Sequence, residues 1–452
     1  MLEFIESLPK DSKKRHRPCR ISSYGSTYDL SIYVRSNPLE VLYPELPLTM
    51  LKTEPVSTDT LESNLRDRYS ENQLRWLDKA KAFADRLSLE DVIASDRDNQ
   101  FRKDLFEAAC KEGFGSLPFP DTYGGSAGDY ISFCLVNEEF ARRCVPIMSS
   151  LGVHVLCQEP VYRFGNEEQK AKYLPPSSTG KYLAAFGLTE PDAGSDTAAL
   201  KTTARFDGEK YLLNGAKTWI TSGASADYYI VMAKVLGDAH KPMAGDPTKR
   251  DHGITAFIVE RHFPGFQIGQ KFDMLGMRGY STCELVFDDC TVPVENMLGE
   301  PGEGRKVALS SLAKGRVTIA AQATGWAQGA LDALIKVLRR RYQEQVIDES
   351  INGLAATVGD LAITVEAARV LTYQAAASVD RGSADVTLAA MAKTTATDAA
   401  MKVSTEALSI LGVEGLEPEL LVERIFRDAK AGQIYEGTNQ IQRMLIARAL
   451  LK

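Results

Sequence analysis

The hydrophobic periodicity of this chain changes twice, and those two changes constrain its fold more than any other feature. From about residue 70 apolar side chains recur at helical spacing, as Leu74, Leu77, Ala80 and Phe83 and then Phe101, Leu105, Ala108 and Ala109. The pattern continues through 133–140 and 153–164. Turn clusters at Tyr123-Gly124-Gly125-Ser126 and Pro175-Pro176-Ser177-Ser178 divide it into five or six expected helices. After about Leu183 the period falls to two, with β-rich runs at Lys210 to Leu213, Tyr228 to Ala233, Ile254 to Val259 and Cys283 to Phe287. Asp207-Gly208 and Asn214-Gly215 predict hairpin turns between strands, and the polar stretch 237–253 predicts an exposed loop. From about Gly302 the helical period returns in Leu331, Leu334, Ile335 and Leu338, in Ile363, Ala367, Val370 and Leu371, and in the alanine-rich stretch from Val386 to Leu411. The expected fold class is therefore α+β multidomain. A helical domain would occupy 68–182, a β-barrel or orthogonal β-sheet domain 183–297, and a four-helix bundle with faces left over for subunit contacts 298–452. Residues 1–67, interrupted by prolines at 38, 44 and 47, read as an extension.

Charge and cysteine usage narrow the class of function. A net charge of -7 offers no basic footprint for nucleic acid, and the run Arg339-Arg340-Arg341 falls within a helical pattern. The seven cysteines are scattered without a CxxC pair, and the five histidines do not cluster, which argues for a reducing compartment and against a structural zinc site. No apolar run reaches the length of a membrane span, and three acidic side chains among the first residues fit a transit peptide poorly. A cytoplasmic location is expected, with the mitochondrial matrix as the alternative.

Three stretches carry candidate chemistry. In Ile434-Tyr435-Glu436-Gly437-Thr438-Asn439-Gln440-Ile441-Gln442-Arg443, Asn439 with Gln442 resembles a capping box and Thr438 is the alternative cap, so a final helix is expected from about Gln440 to Leu450. Glu436 then lies in the loop before a helix start, a place for a general base; by itself it reads more readily as a solvated loop glutamate. Gly187-Leu188-Thr189-Glu190-Pro191-Asp192-Ala193-Gly194-Ser195-Asp196 offers N–H and O–H donors to a phosphate or a heteroaromatic edge, or is a polar connector. Trp219-Ile220-Thr221-Ser222-Gly223, expected on a strand, would wall a flat cofactor or plug the β domain.

Together these stretches resemble the signatures of the acyl-CoA dehydrogenase family from about residue 70 to the C-terminus. Further matching pieces are Leu275-Gly276-Met277-Arg278-Gly279, Phe287 to Pro293, Gly315-Arg316 and Val422 to Lys430. The resemblance implies FAD as cofactor, a homotetramer or homodimer, and α,β-dehydrogenation of an acyl-CoA or acyl-carrier-protein thioester to its trans-2-enoyl form. Electrons would pass to an electron-transferring flavoprotein. It implies Glu436 as the base that takes the C2 proton; branched-chain members that carry the base elsewhere have it at the position of Gly315. It places Phe186, Leu188, Thr189, Gly194, Ser195, Trp219, Ile220, Thr221, Thr438 and Gln440 against FAD, and Ser195, Arg316 and Gly437 against substrate. Arg341 would reach the FAD of a neighbouring subunit. Burial with the thioester is expected to raise the Glu436 pKa, and the helix start to lower it.

Departures from the family pattern cluster where that FAD's adenosine half would lie. Glu344-Gln345 stands for the usual Phe-Gly, Asn352 for a glutamine, and Ser409-Ile410-Leu411-Gly412-Val413 for Gln-Ile-Leu-Gly-Gly. Arg305 replaces a common Phe, and Ala313 a common Asp. The alternatives to a dehydrogenase are a flavin oxidase on the same fold and a flavin-poor structural or assembly protein.

Overall fold

The computed structural model describes residues 22–23, 26–27, 67–236, 253–347, 352–382 and 384–451. Most of the 1–67 extension and nearly all of the 237–253 loop therefore lie outside the described residues. The chain divides into two units, 1–65 and 66–452. In the first, Ser22–Ser23 pairs antiparallel with Ser26–Thr27.

The second unit opens with six helices: α1 (Glu71–Asp85), α2 (Leu89–Arg97), α3 (Lys103–Lys111), α4 (Tyr130–Arg142), α5 (Met148–Phe164) and α6 (Glu167–Ser178). Local chemistry sets their starts. Ser70 with Gln73 and Asn166 with Gln169 form capping boxes, and Ser88 and Asp129 cap α2 and α4. Pro175-Pro176 does not make the expected turn but lies in the last turn of α6. Burial of Tyr173, Leu174 and Ser177 on one face of α6 outweighs the cost of two missing N–H donors.

The β domain contains β1 (Ala184–Gly187), β2 (Thr203–Phe206), β3 (Lys210–Ile220), β4 (Tyr228–Leu236), β5 (Ile254–Glu260), β6 (Phe266–Lys271), β7 (Cys283–Pro293) and β8 (Met297–Leu298). They form one sheet in the order β8-β5-β4-β2-β3-β7-β6, with β1 also paired to β4. β1 and β2 both run parallel to β4, which hairpin signals cannot reveal because the partners are not consecutive. Asp207-Gly208 does turn β2 into β3. Asn214-Gly215 does not form a hairpin; it is a bulge inside β3, where the register to β7 shifts between Leu213 and Gly215. Gly215 has φ +140°, and a Cβ there would meet Thr202 Oγ1 at 2.7 Å. Along β4 the two faces serve different cores. Tyr228, Ile230 and Met232 pack with Cys157 and Val161 of α5, whereas Tyr229, Val231 and Ala233 pack inside the β domain with Phe257 and Leu285.

Helices resume with α7 (Gly304–Gln343), α8 (Asn352–Asp380), α9 (Val386–Leu411), α10 (Val422–Gly432) and α11 (Asn439–Leu450). Every residue of α7 from Gly315 to Ala327 is buried, because α4, α5, α9 and α10 pack around it. Of the stripe Ile363, Ala367, Val370 and Leu371 of α8, only Leu371 packs against the core. Ile363 and Val370 are exposed, while Leu361, Val365, Ala368 and Ala375 are buried. This helix is apolar on two faces, and periodicity alone cannot say which one the bundle covers. At the end of α7, Gln345 takes φ +57°, a left-handed conformation, where the family usually places glycine.

Candidate active site

Glu436 lies in the short loop between α10 and α11, and the fold holds it against its own conformational preference. Its φ is +56°, and Gly437 follows at +94°. A left-handed residue with a Cβ costs about 1–3 kcal/mol, so surrounding contacts must impose it. They do so through the loop's carbonyls. Gln442 Nε2 donates to Glu436 O (3.1 Å) and Gly437 O (2.9 Å), and the buried Lys393 Nζ donates to Gly437 O (2.9 Å) and Asn439 Oδ1 (2.8 Å). Asn439 is thereby taken out of the capping role expected for it. Thr438 caps α11 instead, accepting from Ile441 N, and Asn439 also bonds Thr397 and Asp398.

The carboxylate of Glu436 rests on Gly315 of α7. A Cβ at residue 315 would lie 2.6 Å from Glu436 Oε2 and 3.0 Å from Oε1. Although the residue as a whole keeps some solvent contact, Oε2 is sealed and has no hydrogen-bond partner among the described residues. The solvated-loop reading is thus excluded. Burial raises its pKa to about 7, partly offset by the cations of Arg316 and Lys393. Arg316 is itself buried, with an unpartnered Nε. The Glu436 N–H finds no acceptor among the described residues, so it is available as a donor beside the carboxylate.

Lys393 was missed in the sequence, although a lone lysine inside the apolar run Ala389-Ala390-Met391-Ala392 is a visible signal. Burial lowers its own pKa to about 8, with Glu436 and Asp398 opposing that shift. Lys393→Met is expected to push the Glu436 pKa above about 7, because a cation favouring the carboxylate is lost. Isotope-edited infrared titration of the Glu436 carboxyl measures this, and an unchanged midpoint would contradict it.

The second half of the site is a clamped loop on the β domain. From Phe186 at the end of β1 the chain enters residues 188–196, and the neighbouring strand β3 holds them. Lys217 Nζ donates to Leu188 O (3.2 Å) and pairs with Glu190 (2.7 Å), Thr218 N donates to Thr189 O (2.9 Å), and Glu190 accepts from Lys201 N (2.5 Å) and Thr202 N (3.0 Å). The next residue, Trp219, is 57% exposed and has φ +60°. Its indole stacks on Phe272 with ring centroids 4.2 Å apart. A large exposed aromatic face, held rigidly in a strained backbone beside a clamped polar loop, fits a flat ring system better than a plug. The strand ends at Ile220, so Thr221, Ser222 and Gly223 form a turn rather than continuing it. Thr221 and Thr189 are half-buried, Gly194 and Ser195 are exposed, and Ile220 points into the β-domain core, leaving only its backbone available.

Tertiary contacts join the two halves. Ser222 N donates to Tyr280 O (2.8 Å), Met277 N donates to Asp428 Oδ1 on α10 (2.5 Å), and Tyr435 Oη reaches Gln322 Oε1 on α7 (3.4 Å). Gln440 is exposed on α11. Arg341, expected at the FAD of a neighbouring subunit, lies far from this chain's own Glu436. It is 25 residues beyond Arg316 on one helix, roughly 38 Å away by helical rise. It donates to Leu411 O (3.0 Å) and pairs with Glu414 (3.0 Å).

Profiles of known families match this chain in three consecutive pieces: the N-terminal domain of acyl-CoA dehydrogenase over residues 70–181, its middle domain over 185–290, and its C-terminal domain over 302–451. An acyl-CoA dehydrogenase of Bacillus subtilis (strain 168) is 42% identical over 357 residues, covering 79% of this chain and 92% of the relative. Among solved structures, butyryl-CoA dehydrogenase from Megasphaera elsdenii superposes with a TM-score of 0.78 at 39% identity, over 85% of this chain and 99% of that one. A chain solved in work on the electron transferring flavoprotein of Acidaminococcus fermentans has a TM-score of 0.78 at 40% identity, with the same coverage of 85% and 99%. A buried, unpartnered carboxylate with a pKa near neutrality and an exposed indole beside a clamped loop are what three domain profiles and these relatives explain together: the chain belongs to the acyl-CoA dehydrogenase family.

Proposed function

We propose that Glu436 is the base of an FAD-dependent α,β-dehydrogenation of acyl-CoA. The observation that carries this reading is the Glu436 carboxylate, buried over Gly315 with one oxygen unpartnered and a pKa of about 7. Near neutral pH such a group is deprotonated often enough to accept a proton and basic enough to hold it. The C2 proton moves to Glu436, C3 loses its hydrogen with the electron pair, and a trans double bond forms between C2 and C3. FAD, when bound, supplies the acceptor for that hydride. Trp219, Leu188, Thr189 and Thr221 would hold its ring system, with Gly194 and Ser195 toward its polar parts and Thr438 and Gln440 on the facing loop. The Glu436 N–H donates to the thioester oxygen as enolate charge develops. Arg316 keeps the site electropositive.

Electron-transferring flavoprotein is the proposed acceptor, which the Acidaminococcus relative supports. The outward apolar residues Ile363 and Val370, with Leu450 and Leu451 at the end of the chain, support a homotetramer or homodimer. No helix among the described residues is long and apolar enough to cross a membrane. The bacterial sources of the relatives favour the cytoplasm over the mitochondrial matrix.

Anaerobic addition of an acyl-CoA to the purified holoenzyme is expected to bleach the flavin absorbance and yield the trans-2-enoyl thioester. Hydrogen peroxide release at the rate of turnover in air would instead identify an oxidase. A protein purified without flavin that cannot be reconstituted with FAD would overturn both enzymatic readings.

A further inference from the structure

Lys217 stands in β3 with no exposed surface, and its ammonium serves one loop. Nζ donates to Leu188 O (3.2 Å) and to Glu190 Oε1 (2.7 Å). The stem of the side chain passes Gly187 at the end of β1, where an added Cβ would stand 3.5 Å from Lys217 Cγ. Taking an ammonium out of water is costly, and an apolar residue buried there would not incur that cost. Packing alone therefore does not call for a lysine at this position.

Glu190 shows what the charge holds. Its buried carboxylate also accepts from Thr202 N (3.0 Å) and Lys201 N (2.5 Å), so one side chain ties the loop both to β3 and to the residues leading into β2. Its backbone exchanges hydrogen bonds with Ala193, each 3.1 Å long, which closes the turn between them. Just upstream, Thr218 N donates to Thr189 O (2.9 Å). The carbonyls of Leu188 and Thr189 are thus held by Lys217 and Thr218 in turn, and the next residue on that strand is Trp219 with its exposed indole.

We propose that Lys217 is a positioning residue of the flavin site: its ion pair with Glu190 fixes residues 188–190 relative to Trp219, and losing the pair releases FAD. This rests on the FAD-dependent reading above. Glu190 is the charged side chain that faces Lys217. From β7 the residue paired with Lys217 is Leu285, and Lys201 turns its own ammonium to Asp192 (2.7 Å). Burial lowers the Lys217 pKa to about 8, with Glu190 opposing that shift. Below this pH the amine is charged and the clamp is complete. As the pH rises through it, the buried Glu190 loses its cation and the loop loosens.

The test follows FAD release from the holoenzyme as the recovery of flavin fluorescence after dilution. Lys217→Met and Glu190→Gln are expected to release FAD at least about tenfold faster than wild type at pH 7, as removal of one partner of a buried charge pair speeds dissociation. Tyr373→Phe, which breaks a buried hydrogen bond to Glu138 (2.7 Å) between α8 and α4, is expected to lower the melting temperature and leave the release rate unchanged. Wild-type release is expected to quicken as the pH rises through about 8. That step should move to lower pH in Glu190→Gln, where the carboxylate favouring the ammonium is gone, and should persist in Lys393→Met, which removes the other buried lysine of similar pKa. Wild-type release that stays flat from pH 7 to 9 would overturn the proposal whether or not the variants fold, and so would a folded Lys217→Met that releases FAD at the wild-type rate. Both results leave the FAD reading standing. A protein that neither carries FAD when purified nor takes it up on reconstitution would overturn that reading and the proposal with it.

Discussion

Glu436→Gln is expected to retain FAD, lose about 10² to 10⁴ in turnover of acyl-CoA, and yield a more stable protein above neutral pH. The loss follows from removing the side chain over Gly315 whose unpartnered oxygen can take a proton. The gain follows from linkage. The folded-state pKa of Glu436 is raised to about 7 from an ordinary value of 4.5. Its neutral form is therefore the one that the fold favours. That contribution is fully present below about pH 4.5, falls away as the pH rises through 7, and by pH 8 the ionised carboxylate has cost up to about 3 kcal/mol. Glutamine resembles the neutral form at every pH, so the variant's advantage should grow between pH 5 and 8 and vanish in acid. Denaturant melts across that range measure the stability, and flavin bleaching measures the turnover. A variant that turns over within about tenfold of wild type would remove Glu436 from the mechanism. The same pKa predicts that kcat/KM of the wild type falls as the pH drops below about 7, since the free enzyme's base must be deprotonated.

Gly315→Ala should separate activity from stability in the opposite way. Its Cβ would enter the space of the Glu436 carboxylate, at 2.6 Å from Oε2. The obstructed group is the end of a side chain, so the fold can yield by moving it. In addition, alanine in mid-helix is favoured over glycine by about 1 kcal/mol. The expected result is a melting temperature equal to or above wild type, with kcat lowered by about 10²-fold, the scale of a displacement near 1 Å at a reacting group. Wild-type kcat in Gly315→Ala would mean that the base is not seated on residue 315 during turnover. A clearly lower melting temperature would mean that the backbone, not the carboxylate, gave way.

Legibility in the sequence depended on how local each feature was. Asp207-Gly208 turned the chain as expected because two residues decide a tight turn. Asn214-Gly215 carries the same signal, yet Asn214 bonds Asp289 across the sheet and the glycine accommodates Thr202, so a long strand continues through it as a bulge. Pro175-Pro176 reads as a break until Tyr173 and Leu174 are buried beside it. The outward stripe of α8 reads as core because both faces of that helix are apolar. Departures from the family pattern at Glu344 and Gln345 proved compatible with the end of α7, Glu344 serving as its C-cap and Gln345 adopting the left-handed turn.

The sequence by itself determined the order of helical, β and helical segments, the loop that carries Glu436, and the indole at 219. Those follow from spacing and from residue types within a few positions of one another. Only the tertiary structure decided that the Glu436 carboxylate has a pKa near neutrality. That property is set by the water excluded around one oxygen and by cations 43 and 120 residues away in sequence, at Lys393 and Arg316. Desolvation and Coulomb interaction act through space, and a string of residues does not encode them until α7, α9 and the loop after α10 are packed together.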